Sequence, residues 1–293
     1  MPNSQQLLFG LGVPLLVAVV LSLIGHRWPR RGGSWGTIAG LCFGVIIGYR
    51  VFVGQWPPLP PLEAPERLVV FTVALGVAAI ALSSKSVPWV ARALLAVAGA
   101  GLIEWFLFRP YSDEALPPVD RRLWIGIGAV AIFIVTSSTE FLANRRGAIA
   151  AALTLGPVAA AVGAINVMTS NSKLGMLSAA VAMIVLGWFT AALIARSTTL
   201  SRGPVLVCAA LVGALLTAGY FTPDGVTRPE LILLAVAPLA AWLAELRPIS
   251  KWKGWRQEAI RLVLVSIPVG IAIGVAVPQF LKDQADNGAA SAE

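Results

Sequence analysis

Ten stretches of this chain are each long and apolar enough to cross a bilayer, and that restricts the fold more than any other feature of the sequence. A hydrocarbon core about 30 Å thick takes roughly 20 residues of helix at about 1.5 Å each, and only a helix satisfies its own backbone hydrogen bonds there. The spans are expected at 7–25, 34–53, 68–84, 88–108, 123–142, 147–168, 175–195, 204–221, 231–246 and 259–281. With 57% hydrophobic and 12% charged residues, no segment between them can bury a soluble core. The sequence therefore predicts an all-α, polytopic integral membrane protein with about ten transmembrane helices in one bundle. A single domain covers 1–282, followed by a short polar tail, 283–293.

Cations set the expected orientation, since short loops rich in Arg and Lys stay in the cytoplasm. The odd-numbered loops and their helix ends carry fourteen cations, among them Arg27, Arg145, Arg146, Arg247 and Arg261, against Glu140, Glu245 and Glu258. The even-numbered loops and both termini carry eight cations against eleven carboxylates. Odd loops are thus expected inside and both termini outside. The first span has no cation before it, and His26-Arg27-Trp28-Pro29-Arg30-Arg31 follows it, the reverse of a secretory signal. An Arg-rich, Ala-, Val- and Gly-rich composition points to a bacterial inner membrane. The net charge of +8 is dispersed over many loops, so it reads as topology, with affinity for anionic lipid at 246–261 and no nucleic-acid partner.

Two kinds of feature bear on how the helices meet. Gly36, Gly40, Gly44 and Gly48 recur every fourth residue and leave one face of the second span bare, the pattern membrane helices use for close approach. Gly270 and Gly274 form a shorter version in the last span. These glycines are expected to pack helices within the chain or to contact a second copy or a membrane partner. Pro157 after Gly156, and Pro268 after Ser266-Ile267, are the expected places for a broken or kinked helix, where transporters put binding sites. Tryptophans near helix ends, such as Trp56, Trp105, Trp124 and Trp255, read as interfacial anchors.

Ionisable groups within spans point to function because each is costly in hydrocarbon. Glu140 ends the run Thr136-Ser137-Ser138-Thr139-Glu140, and on a helix Thr136 shares its face, so a solute cation or a proton has a candidate site there. An ion pair with Arg145 or Arg146 is the alternative for that carboxylate. Glu104 is expected to pair with Arg50 or Arg109, and Glu245 to be structural. Asn166 opens a polar patch at the end of the sixth span.

Absences limit the chemistry. His26 is the sole histidine, and Cys42 and Cys208, both within spans, read as packing residues, so no metal cage, cofactor or disulfide framework is expected. No span holds an aspartate, and no P-loop, Gly-x-Ser-x-Gly or Cys-x-x-Cys motif occurs. The balance leans against an enzyme. Length and span count are similar to those of the ten-helix drug and metabolite permeases, but no motif carries that likeness and the expected termini lie on the opposite side, so no family is assigned. Ten spans also invite a search for two five-helix repeats; Trp105–Pro110 and Trp242–Pro248 echo each other only faintly. The leading expectation is a permease or channel-like carrier for a small solute, with Glu140, Thr136, Pro157, Asn166 and Pro268 at its site. The alternative is a non-catalytic membrane scaffold or a subunit of a larger complex.

Overall fold

The structure, a computed structural model, describes residues 4–27, 34–82, 89–108, 118–169, 171–195, 202–222, 225–250, 252 and 254–290. All regular structure among them is helical: α1 (Ser4–Arg27), α2 (Ser34–Val53), α3 (Ala64–Leu82), α4 (Trp89–Phe108), α5 (Pro118–Arg146), α6 (Ala148–Met168), α7 (Ser172–Ala195), α8 (Arg202–Tyr220), α9 (Arg228–Ala240), a 3-10 turn (Ala241–Glu245), α10 (Arg247–Ser250) and α11 (Trp255–Ala290). Among the described residues, seven helices are long and apolar enough to cross a membrane: α1, α2, α5, α6, α7, α8 and α11. The ninth expected span differs from the sequence reading. Its helix stops at Ala240, soon after Pro238 withholds a backbone donor, and tightens into the 3-10 turn. Of the break or kink expected at Pro157 and Pro268, a break is absent: α6 and α11 continue as helix through both residues. Arg30, Arg31, Lys85, Arg109, Arg196, Lys251 and Lys253 lie outside the described residues, as do the side chains of Trp89, Arg92 and Arg202.

Local chemistry fixes the helix ends. Glu66 and Glu230 each occupy the third position of a helix with proline just before, and each turns back to accept a backbone N–H: Glu63 N at 3.0 Å and Thr227 N at 2.7 Å. At the other end of α2, Gly54 takes φ +80°, and its N–H bonds to the Arg50 carbonyl at 3.0 Å.

Small residues set the closest packing. The glycine face of α2 meets α1 and α7: a Cβ at Gly36 would lie 2.2 Å from the Leu21 oxygen, one at Gly40 would lie 3.1 Å from the Ala18 Cα, and one at Gly44 would lie 2.7 Å from Ile184. Helix α1 answers with its own stripe of Gly10, Pro14, Ala18, Ser22 and Gly25, all buried. Gly163 of α6 and Gly175 of α7 oppose each other in the same manner. Gly270 and Gly274 do not share this role within the chain: a Cβ at either would meet nothing within 4 Å, because that side of α11 faces outward while its other side packs on α6 and α9.

Contacts between helix ends sort the loops into two faces. Arg146 reaches Glu245 at 2.7 Å, and the Phe189 and Trp255 rings lie 6.4 Å apart, which joins odd loops to odd loops. Lys173 reaches Glu63 at 2.6 Å, Asn171 bonds Thr222, and Arg67 donates to the Phe106 carbonyl at 3.3 Å, which joins even loops to even loops. The former is called the arginine face below and the latter the acidic face.

Candidate functional site

Glu104 stands one turn inside the acidic-face end of α4 and is 0% exposed. Room for it comes from Gly128 of α5, where a Cβ would lie only 2.7 Å from the Glu104 Cδ. From α8 the Thr217 hydroxyl faces it. That hydroxyl donates its hydrogen to the Gly213 carbonyl at 3.0 Å, as helical threonines commonly do. Among the described residues neither Glu104 oxygen has a hydrogen-bond partner of normal geometry. Aromatic rings close the acidic-face side: Phe108 meets Phe221 edge-on at 4.5 Å, and Trp124 lies 5.2 Å from Phe221 and 5.3 Å from Tyr220.

The ion pair expected between Glu104 and Arg50 does not form. The Arg50 guanidinium bonds the Gly54 carbonyl and lies over the Trp56 ring at 5.7 Å. Arg109, the other expected partner, lies outside the described residues; the neighbours of Glu104 from Ala100 to Phe108 are apolar.

From Gly128 the buried stripe of α5 continues through Ala129, Ile132, Thr136, Thr139 and Ala143, spaced three and four residues apart. Buried helix hydroxyls fall into two groups. Thr72, Thr154 and Ser178 each donate to the carbonyl four residues earlier, at 2.6, 2.7 and 2.8 Å. The hydroxyls of Thr136 and Thr139, like that of Ser22 in α1, have no hydrogen-bond partner among the described residues. One turn beyond Thr139, Ala143 lines a partly open cavity of about 550 Å³ at the arginine face. Along α5, then, Gly128 beside Glu104, the Thr136 and Thr139 hydroxyls and the cavity wall at Ala143 share one buried stripe about 22 Å long, with the apolar Ala129 and Ile132 between the carboxylate and Thr136.

The structure disperses the rest of the expected site. Glu140 is half-buried at the edge of the α5 stripe and engages another group. Asn166 is buried in α6; its side-chain N–H donates to the Val162 carbonyl at 2.9 Å, and its Oδ1 points at bare Gly219 with no hydrogen-bond partner. Pro157 and Pro268 are half-buried in unbroken helices. Only Thr136 stands on the α5 stripe.

At the arginine face Glu245 leaves the 3-10 turn to meet three guanidinium groups. Arg146 holds it through a two-pronged contact at 2.9 and 2.7 Å, Arg261 at 2.7 Å, and Arg145 stands 3.8 Å away. Gln257 adds an N–H at 3.3 Å, and Arg261 also pairs with Glu258. Glu245 is structural, as expected, but its partners come from α5 and α11. The broken ninth helix is what delivers it. Among the described residues no three His, Cys, Asp or Glu side chains group as metal ligands do.

No protein-family model, curated protein or solved structure matches this chain.

Proposed function

We propose that this protein is a membrane carrier for a small solute, with Glu104 as the group that takes up and releases a cation, a proton included, during transport. The observation that carries the reading is the complete burial of both Glu104 oxygens without a partner, between three packed helices. A bare carboxylate at membrane depth costs several kcal/mol, and such groups mark ion pathways. A bound cation completes the site and departure of that cation leaves it strained, which gives two states of different energy. The α5 hydroxyls of Thr136 and Thr139 supply stepping points between Glu104 and the arginine-face cavity.

The reading takes ten crossings. Besides the seven long helices it counts α3, α4 and α9 with its 3-10 turn as crossings. By the charge rule the arginine face is cytoplasmic and both termini are outside, in a bacterial inner membrane. The rival role as a scaffold has less support, because the glycine face of α2 is filled by helices of its own chain.

Two measurements test the reading. Dicyclohexylcarbodiimide attacks carboxyl groups in apolar membrane surroundings, so mass spectrometry should find the adduct on Glu104 and none there in Glu104→Gln. In liposomes loaded with a pH dye, a panel of metabolites and ions should contain a solute that drives proton or coupled cation movement through the wild type and not through Glu104→Gln. An unlabelled Glu104, or solute movement indifferent to Glu104→Gln, would overturn the assignment.

A further inference from the structure

The cavity at the arginine face has a chemistry that solute carriage does not explain. It lies where α5 reverses into α6 and α11 begins, and its wall includes Arg145, Arg146, Gly147, Trp255, Gln257 and Glu258. Three guanidinium groups, those of Arg145, Arg146 and Arg261, meet two carboxylates, Glu245 and Glu258, so one positive charge is left over. Arg145 is where that charge is available. Its side chain is 58% exposed, and its nearest carboxylate, at 3.8 Å, already holds two closer guanidinium groups.

The backbone adds to the field. Gly147, at φ +91°, is the single residue between α5 and α6, a geometry that disfavours any side chain. It carries no side chain to cap α6, and Gly147 and Ile149 are in the wall, so the positive end of that helix dipole lies beside the cavity. One turn behind the wall residue Gln257, Arg261 is fully buried and its Nε has no partner among the described residues. Trp255 of the wall is more than half exposed, as are Leu246 and Trp252 in the segment that precedes α11.

We propose that this cavity binds a phosphate group presented as the headgroup of an anionic phospholipid. The guanidinium and helix-end donors suit a phosphate oxygen set. The exposed Trp and Leu side chains suit the glycerol and acyl chains that a lipid brings and a free phosphate lacks. The site is independent of the carrier reading, because it needs neither Glu104 nor any movement of solute.

The test uses the full chain purified in a neutral detergent. Short-chain phosphatidylglycerol should raise the apparent unfolding midpoint in proportion to occupancy, and short-chain phosphatidylcholine should not. Arg145→Gln should weaken the phosphatidylglycerol effect about ten-fold, the loss of one charged hydrogen bond. Lys282→Gln removes the same charge from the far end of α11 and should leave it intact. Native mass spectrometry should show phosphatidylglycerol retained on the wild type and depleted on Arg145→Gln. Equal response to the two lipids, or an Arg145→Gln protein that binds like the wild type, overturns the site. A shift with inorganic phosphate as large as with phosphatidylglycerol overturns the lipid as its source.

Discussion

Alanine placed at Gly36 and at Gly270 should move the stability of this chain in opposite directions. At Gly36 the new methyl would sit 2.2 Å from the Leu21 carbonyl oxygen and 2.7 Å from the Gly25 Cα. Carbon needs about 3.5 Å or more, and both obstacles are backbone, which cannot rotate away. The two helices must therefore part by about 1 Å. A gap of that size forfeits a quarter to a half of each dispersion contact along the seam, where Gly40 meets the Ala18 Cα and Gly48 lies against Pro14. Overpacking costs about 1–3 kcal/mol, and an immovable backbone puts Gly36→Ala near the top of that range. At Gly270 nothing lies within 4 Å, so Gly270→Ala only removes the conformational freedom of a mid-helix glycine, a gain of about 0.5–1 kcal/mol.

At about 2 °C per kcal/mol for a chain of this size, Gly36→Ala should lower the apparent unfolding midpoint by about 6 °C, and Gly270→Ala should raise it by about 1–2 °C. Both should be read in one detergent at one scan rate, because unfolding from detergent is commonly irreversible. Equal shifts for the two variants would refute the account of α1–α2 packing, and so would an unaffected Gly36→Ala protein.

Three further outcomes follow from buried polar groups. Glu245→Ala should cost about 3–5 kcal/mol by stranding Arg261 and Arg146, and adding Arg261→Met should restore part of that loss; strict additivity in the double variant would contradict the coupling. Burial pushes the Glu66 carboxyl up, but the Glu63 and Leu62 N–H groups, the Tyr49 hydroxyl and Lys173 together hold it below its ordinary value. Its stabilisation is thus complete above about pH 4.5, the unfolded value, and is lost as pH falls through the lower folded value, so Glu66→Gln should flatten that acid limb of a midpoint-against-pH curve. Thr136→Val and Thr139→Val should be neutral or stabilising by up to about 1 kcal/mol, since neither hydroxyl has a bond to lose, while slowing solute flux; a clear loss of stability would show these hydroxyls to be structural.

Helices of this chain were legible because bilayer thickness and apolar length are tied by simple geometry, and α1, α2, α6, α7 and α8 fall close to their expected bounds. Contact partners were not legible. The series from Gly36 to Gly48 announced a bare face, but only the structure shows α1 and α7 filling it. The matching stripe of Gly10, Pro14, Ala18, Ser22 and Gly25 could have been read from the same four-residue spacing. So could the paired helix starts Glu63-Ala64-Pro65-Glu66 and Thr227-Arg228-Pro229-Glu230, with proline at the second and glutamate at the third position. Glu140 ends a run of hydroxyls and has Arg145 and Arg146 five and six residues on, but Glu104 likewise has Arg109 five residues on, so charge spacing alone does not separate the two carboxylates. Glu104 has apolar neighbours for a turn on either side, and the fold then buries it completely.

Packing and chemistry are divided between different helices, and that division is what a carrier needs. Close backbone approaches concentrate in α1, α2, α6 and α7, at Gly36, Gly40, Gly163, Gly175 and Gly187. Such seams have few rotatable atoms and little room to slide. The buried carboxylate and the two spare α5 hydroxyls belong to α4 and α5, against α8, where the glycine contact at Gly128 is with the Glu104 side chain rather than with a helix backbone. A side chain can change rotamer at far lower cost than two backbones can separate. The same α5 ends in Arg145 and Arg146, held by Glu245, so any shift of its polar stripe is felt by the ion cluster and by the cavity beside it. Occupancy of Glu104 at one face and of the arginine cavity at the other therefore act on one rigid rod. Anionic lipid should change the affinity of the wild type for the coupled cation, and saturating cation should change its lipid affinity by the same factor, as linkage demands; in Glu104→Gln the lipid affinity should no longer depend on that cation.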